Sequence, residues 1–371
     1  MTGWGRRLQL GLCRSHRRQM TRTRDDRRST SQGGMVRWRR PDRATGRSVA
    51  LRPLFPYVRR RPRPRIAAAP APFVRHPPPA PLPVVPDPSP FQFPSDPLAD
   101  GPLERLRAGA RGLRPRAFAP YSGRPEAVAL VLASGALVPG VRVESASFSL
   151  TIGATQNALT SAAALAPGDA PVLLVASAPL GAADRVLAAA FGLSTALADD
   201  VLGADGVDAA SLLRDAFATV DETAPLGWMS CALAAPVPAT PADGVALARA
   251  VSARAVVPES NFHVGCVALT GADGRDLLVP GCNVETAEWG QILCAERNAI
   301  GTIASYGLAA PSALWLACPG DGCSPCGACR QLLAERAPGA DVWMHGAGDA
   351  IAAATPEALL PGAFTGASLV R

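Results

Sequence analysis

The feature that most constrains this chain is that part of it occurs twice. Gly140-Val141-Arg142-Val143-Glu144, followed by Ser147-Phe148, lies against Gly281-Cys282-Asn283-Val284-Glu285, followed by Glu288-Trp289, at a constant offset of 141 residues. The match runs on without a gap as Ala154, Asn157 and Ala158 meet Ala295, Asn298 and Ala299. Pro179-Leu180-Gly181-Ala182 then meets Pro325-Cys326-Gly327-Ala328, the offset having grown by five through an insertion near 319–323. Leu212-Leu213 with Ala216-Phe217 pairs with Leu359-Leu360 with Ala363-Phe364. A chain that repeats itself this way folds as copies of one unit. Two copies are expected, over residues 103–222 and 243–371, with a linker over 223–242. The 371 residues suffice for two domains that each bury a core.

The remainder, 1–102, is different in kind. Residues 1–75 carry 21 of the 37 Arg against only Asp25, Asp26 and Asp42, whereas the other 16 Arg face 27 acids. Pro interrupts the leader throughout and no helical or strand period survives, so it reads as a disordered Arg/Pro-rich segment, either a transit peptide or a start artefact. The copies themselves are acidic, which argues against a groove for polyanionic nucleic acid. No apolar run reaches the roughly 20 residues of a membrane helix, so no membrane partner is expected. The expected location is cytoplasmic, or an organelle if the leader is a transit peptide. Nine Cys, four of them within 318–329, favour metal ligation in a reducing compartment over disulfides.

In the second copy, residues 263–270 and 277–284 read as a hairpin reversed at 271–274, and 294–306 as a helix stopped by Gly307. A strand over 313–318, a helix over 326–335 and a strand over 341–345 follow. Strands alternating with helices imply an α/β fold: two tandem α/β/α layered domains, each with a mixed sheet.

The chemistry concentrates at Cys294-Ala295-Glu296 and, 32 residues after Cys294, at Pro325-Cys326-Gly327-Ala328-Cys329. Each Cys lies at or near a predicted helix N-terminus, where free N–H groups and the helix dipole favour a thiolate. Three protein ligands on zinc leave the fourth tetrahedral position for water, and Glu296, two residues from a ligand, is suited to move that water's proton. The alternative is a closed knuckle of Cys318, Cys323, Cys326 and Cys329, in which Glu296 has no part. Arg297 is expected in the second shell: three thiolates on zinc carry net negative charge, and a guanidinium bonded to the sulfurs would restore acidity to the water. Its alternative is a surface Arg. In the first copy the corresponding positions hold Gly153, Thr155, Leu180 and Ala183, so one zinc per chain is expected.

Cys-Ala-Glu-Arg followed by Ser-Pro-Cys-Gly-Ala-Cys-Arg-Gln resembles the three-cysteine zinc cytidine deaminases that act on free nucleosides. The resemblance extends to Ser260-Asn261-Phe262-His263-Val264-Gly265, to 281–285 and to the closing 359–364, and so covers almost all of the second copy. It implies that Asn283 and Glu285 hold the ribose 3′-hydroxyl, that Phe262 stacks on the pyrimidine, that the Ala295 backbone bonds the base, and that a main-chain carbonyl of Ser324 or Pro325 receives the departing amine. Glu285 could instead be a strand-end charge, since Glu144 persists in the first copy, and Phe262 could be core. Two departures, Pro258-Glu259 for Pro-Tyr and Trp289 for Tyr, bear on subunit contacts.

The implied activity is hydrolytic deamination of cytidine and deoxycytidine to uridine and deoxyuridine with release of ammonia, as in pyrimidine salvage. The implied assembly is a homodimer mimicking a tetramer, with Phe364 or Phe217 reaching a neighbouring site. Two other readings stand beside it: a deaminase of cytosine in RNA or DNA, and a non-catalytic zinc protein.

Overall fold

Residues 101–208, 226–348 and 350–369 are described by the computed structural model, and all lie in the unit Pro81–Arg371. The leader, apart from its last two positions, and Phe217 fall outside the described residues. The first copy runs α1 (Pro102–Leu113), β1 (Ala127–Leu132), β2 (Leu137–Val141), α2 (Ala154–Leu165), β3 (Pro171–Ala176), α3 (Ala182–Ala190), β4 (Thr195–Ala198) and β5 (Val201–Gly203). The second runs α4 (Pro241–Ser252), β6 (Gly265–Ala272), β7 (Arg275–Cys282), α5 (Ala295–Tyr306), β8 (Ala313–Ala317), α6 (Gly327–Arg336), β9 (Asp341–His345), β10 (Ile351–Ala354) and α7 (Pro356–Leu359).

The described residues of each copy form one five-stranded sheet, ordered β2-β1-β3-β5-β4 and β10-β9-β8-β6-β7. In the second, β8 and β9 are parallel and the other pairs antiparallel. In the first, among the described residues, the ladders are antiparallel and parallel pairing is confined to isolated bridges, Leu137↔Trp228 and Phe118↔Val143. The pleat explains the layers. Successive side chains of a strand face opposite ways, so Ala129 and Val131 pack on Leu106 and Ala110 of α1, while Val128 and Leu130 pack on Ala158 and Leu159 of α2. Likewise Val267 meets Val245 and Ala248 of α4, and Cys266 and Ala268 share a core with Ala299, Ile300 and Leu332 of α5 and α6.

The small residues that made the repeat visible have a packing reason. A Cβ on Gly281 would lie 2.2 Å from the Ala295 carbonyl and 2.8 Å from the Ala299 nitrogen, and one on Gly140 would lie 2.4 Å from the Ala154 carbonyl. Helix and hairpin therefore touch backbone to backbone, which fixes the N-terminus of α5 against the sheet. Helix α4 begins inside the segment expected as linker: Pro241 is harmless in a first turn, and Thr240 and Asp243 form a capping box there.

The copies share one core through α2 and α5. Ser161 Oγ and Thr302 Oγ1, equivalent residues of the two copies, meet at 2.7 Å. Asn157 Nδ2 lies 2.8 Å from the Val141 carbonyl, 2.9 Å from that of Gly301 and 2.9 Å from Ser305 Oγ. Among the described residues no helix is long and apolar enough to cross a membrane.

Candidate active site

Two helix N-termini converge on one point. Cys294 is the N-cap of α5, Cys326 the N-cap of α6, and Cys329 the third residue of α6. Cys294 Sγ lies 3.6 Å from Cys326 Sγ, which lies 3.5 Å from Cys329 Sγ. Tetrahedral zinc with Zn–S near 2.3 Å requires sulfurs about 3.8 Å apart, so the spacing fits the ion. Among the described residues this is the one group of three or more His, Cys, Asp or Glu side chains close enough to hold a metal. The closed knuckle with Cys318 and Cys323 is not formed. The protons are unevenly shared: bonding to its two neighbours holds the Cys326 thiol far below its ordinary value, while bonding to Cys326 pushes Cys294 up to about 12. A divalent cation held there would replace those shared protons and let all three sulfurs ionise.

Glu296, second in α5 and 4% exposed, accepts from Cys329 Sγ at 3.2 Å. Burial pushes its carboxyl above the ordinary carboxylate range, opposed by its own backbone N–H and by Cys329. Ala295 is fully buried beside it.

Asn283 and Glu285 hold the loop before β6. Asn283 Oδ1 accepts from the Val264 N–H at 2.8 Å, and its Nδ2 donates to the Phe262 carbonyl at 2.8 Å. Glu285, 8% exposed, accepts from the Glu259 N–H at 3.3 Å and from the Ser260 N–H and Oγ at 3.0 and 2.5 Å. It is no exposed strand-end charge. Glu144 does the same in the first copy, accepting from the Tyr121 and Ser122 N–H groups at 2.9 and 3.1 Å, which is why a Glu persists there. The loop so held carries Phe262, 47% exposed and hence not core, after Asn261 in the left-handed region at φ 53°.

Arg330 braces the other side. Its guanidinium donates to the Pro325 carbonyl at 2.8 Å, Ser324 Oγ at 2.9 Å and the Leu359 carbonyl at 3.2 Å. Arg330 was legible within the Cys-Arg-Gln motif but nothing in the sequence showed what it reaches. Arg297 departs from expectation. It donates to the Leu150 carbonyl of the first copy at 2.8 Å, with no bond to a sulfur, and its Nε is buried without a partner. The reason is the repeat: Gln156, its equivalent, donates to the Gln291 carbonyl at 2.7 Å, so this position ties each copy to the 3₁₀ turn of the other.

In the first copy the caps set the register. Gly153 and Gly181 cap α2 and α3 as Cys294 and Cys326 cap α5 and α6. Asp184, rather than Ala183, therefore answers Cys329, and Gly181, rather than Leu180, answers Cys326. No thiol stands at any of the three positions.

Comparison with known proteins bears on both copies. The cytidine and deoxycytidylate deaminase zinc-binding region matches residues 241–344, and a second match of that description covers 99–176. A cytidine deaminase of Sporosarcina psychrophila is 40% identical over 114 residues, which is 30% of this chain and 82% of that protein. One from Halalkalibacterium halodurans is 38% identical over 122 residues, 31% of this chain and 89% of the relative. A crystal structure of cytidine deaminase from Burkholderia pseudomallei aligns at a TM-score of 0.30 with 33% identity, covering 33% of this chain and 96% of that one.

Proposed function

Because this chain belongs to the cytidine deaminase family, as a zinc-dependent deaminase, we propose that its second copy hydrolyses cytidine and deoxycytidine to uridine and deoxyuridine, releasing ammonia. The observation that carries this is a buried carboxyl, Glu296, 3.2 Å from one of three converging thiols. Cys294, Cys326 and Cys329 would hold zinc, which would supply a Lewis acid that makes water a nucleophile near neutral pH.

The chain's own residues do the rest. Glu296 takes the proton of the attacking water, passes it to N3 of the ring, and then supplies one to the leaving amine. Its raised pKa suits a group that must both accept and donate. The Ala295 N–H, at the N-terminus of α5, bonds the base, and the exposed Phe262 ring lies on the pyrimidine face. Asn283 and Glu285 set the loop that presents Phe262 and offer their remaining hydrogen-bonding capacity to the 3′-hydroxyl. Since Arg330 already donates to the Pro325 carbonyl, the Ser324 carbonyl is the better receptor for ammonia. Arg297 is a tie between copies.

The same reading assigns residues 103–222 as a copy without zinc and 243–371 as the catalytic copy, with two chains pairing as a homodimer in the manner of four single copies. Loss of the cytosine-ring absorbance on adding the full chain to cytidine, 2′-deoxycytidine and 3′-deoxycytidine tests it. Comparable turnover of the first two and a weaker response to the third are expected. Turnover of cytosine in an oligonucleotide without turnover of either nucleoside would overturn the proposal.

A further inference from the structure

The insertion that distinguishes the second copy, 319–323, follows Cys318 and ends on Cys323, two thiols that the metal centre does not use. Cys318 directly follows β8, and Cys323 precedes Ser324, Pro325 and the ligand Cys326. Neither belongs to the three-sulfur group. The chain between them turns back through Gly320 at φ 87°, and Cys318 Sγ already donates across the turn to the Gly322 carbonyl at 3.2 Å. The Cys323 N–H donates to the His345 carbonyl at 2.7 Å, which pins that end of the loop to β9. Both thiols are half-buried, so a small solute reaches them.

Cys318 lines a cleft of about 300 Å³ together with Arg249, Ser252, Pro319, Gly320 and His345. His345 is 8% exposed and its Nδ1 has no hydrogen-bond partner. Cys318 therefore opens on a cleft whose other lining includes a guanidinium and an imidazole, where a small oxidant meets its sulfur. The second thiol is close at hand: Cys318 Sγ lies 3.2 Å from the carbonyl of Gly322, the residue before Cys323, and burial together with the neighbouring Cys318 side chain pushes the Cys323 thiol up.

We propose that Cys318 and Cys323 form an oxidant-responsive dithiol, closed by a peroxide to a disulfide in the loop that delivers Cys326 to the metal centre. The Cys318 thiolate attacks one oxygen of hydrogen peroxide, the O–O bond breaks, and the departing hydroxide takes up a proton as water, leaving Cys318 as a sulfenic acid. The Cys323 sulfur then attacks Cys318 Sγ, the S–O bond breaks, and the hydroxyl leaves with the Cys323 proton as a second water. Two thiols lose two electrons and the peroxide gains them. The zinc-bound sulfurs are spent on the metal and stay out of the exchange. A reduced thiol pair reverses the bond by thiol–disulfide exchange.

The test is made on the full, zinc-loaded chain treated with hydrogen peroxide, reading free thiols, intact mass, zinc content and the mapped disulfide. The wild type is expected to lose two thiols and two hydrogens, keep its zinc, and recover both thiols with dithiothreitol. Cys323→Ser should stop at a sulfenic acid on Cys318 that dimedone traps, and Cys318→Ser should keep its one remaining thiol of the pair, Cys323, under the same exposure. Release of zinc in step with thiol loss, a disulfide mapped to Cys294, Cys326 or Cys329, or unchanged thiol loss in Cys318→Ser would overturn the proposal. None of these readouts depends on which nucleoside is deaminated.

Discussion

Asn157 lies in the copy without thiols, yet its truncation should destabilise the copy that has them. The side chain is fully buried in the α2–α5 contact. Asn157→Ala removes the Nδ2 donor from the Val141 carbonyl, the Gly301 carbonyl and Ser305 Oγ, and the Oδ1 acceptor from Ser161 Oγ. Gly301 keeps a bond from Ser305 Oγ at 3.0 Å, so the chief cost falls on Val141 and on the vacated space. One stripped buried acceptor and one lost bond together cost about 3 kcal/mol. That is a large part of a total of about 5–15 kcal/mol. For a folded region of this size it lowers the melting midpoint by about 6–12 °C.

The assay exploits a sequence accident: residues 103–222 contain no Trp, while Trp315 and Trp343 lie in the second copy. With Trp4, Trp38 and Trp228, the last bridged to Leu137 of the first copy, replaced by Phe in both proteins compared, the change in tryptophan fluorescence reports on the second copy while the mutation sits in the first. A drop of the expected size seen by fluorescence, and a non-additive double mutant with Ser305→Ala, supports a shared core. A fluorescence midpoint within about 2 °C of wild type, an effect below 1 kcal/mol, would refute it.

Further expectations follow from the same contacts. Although burial opposes it, hydrogen bonds from Ser122 and Arg142 hold the Glu144 carboxyl below its ordinary value. A lowered folded pKa gives stability that is complete above the unfolded value and lost as pH falls through the folded one. Urea melts should thus show Glu144→Gln less stable than wild type at pH 7 and the gap closing well below about pH 4.3. Arg330→Ala frees the Ser324–Pro325 segment, and steady-state kinetics should show kcat lower by about tenfold or more with zinc retained. Removing zinc with a chelator should unmask three additional thiols to a colorimetric reagent, and Cys326→Ser should bind little zinc in a metal assay.

Much of the fold was legible because its signals are local. The glycine–alanine contacts that force hairpin and helix together also repeat in sequence, and Gly307 closes α5 in the left-handed region at φ 67°. Helix α4 was hidden by Pro241, which reads as a breaker until its place in a first turn is seen. The thiols and Glu296 could be read because each stands at a helix N-terminus at short spacing. Partners across the copies could not be read. Arg297 meets Leu150, and Glu335 accepts from Ser145 Oγ and the Ala146 N–H, contacts that span 147 to 190 residues and leave no periodic trace. Glu285 was ambiguous for the opposite reason: its role as a loop anchor is shared with Glu144, so the residue type alone did not separate scaffold from site.

The most direct test of the account is to measure cytidine turnover and bound zinc side by side for the full chain and for Glu296→Gln. The account predicts about one zinc per chain in both proteins, with turnover in the wild type and a loss of about 10²-fold or more in the variant. Zinc at that level with no turnover in the wild type, or undiminished turnover in Glu296→Gln, would contradict it.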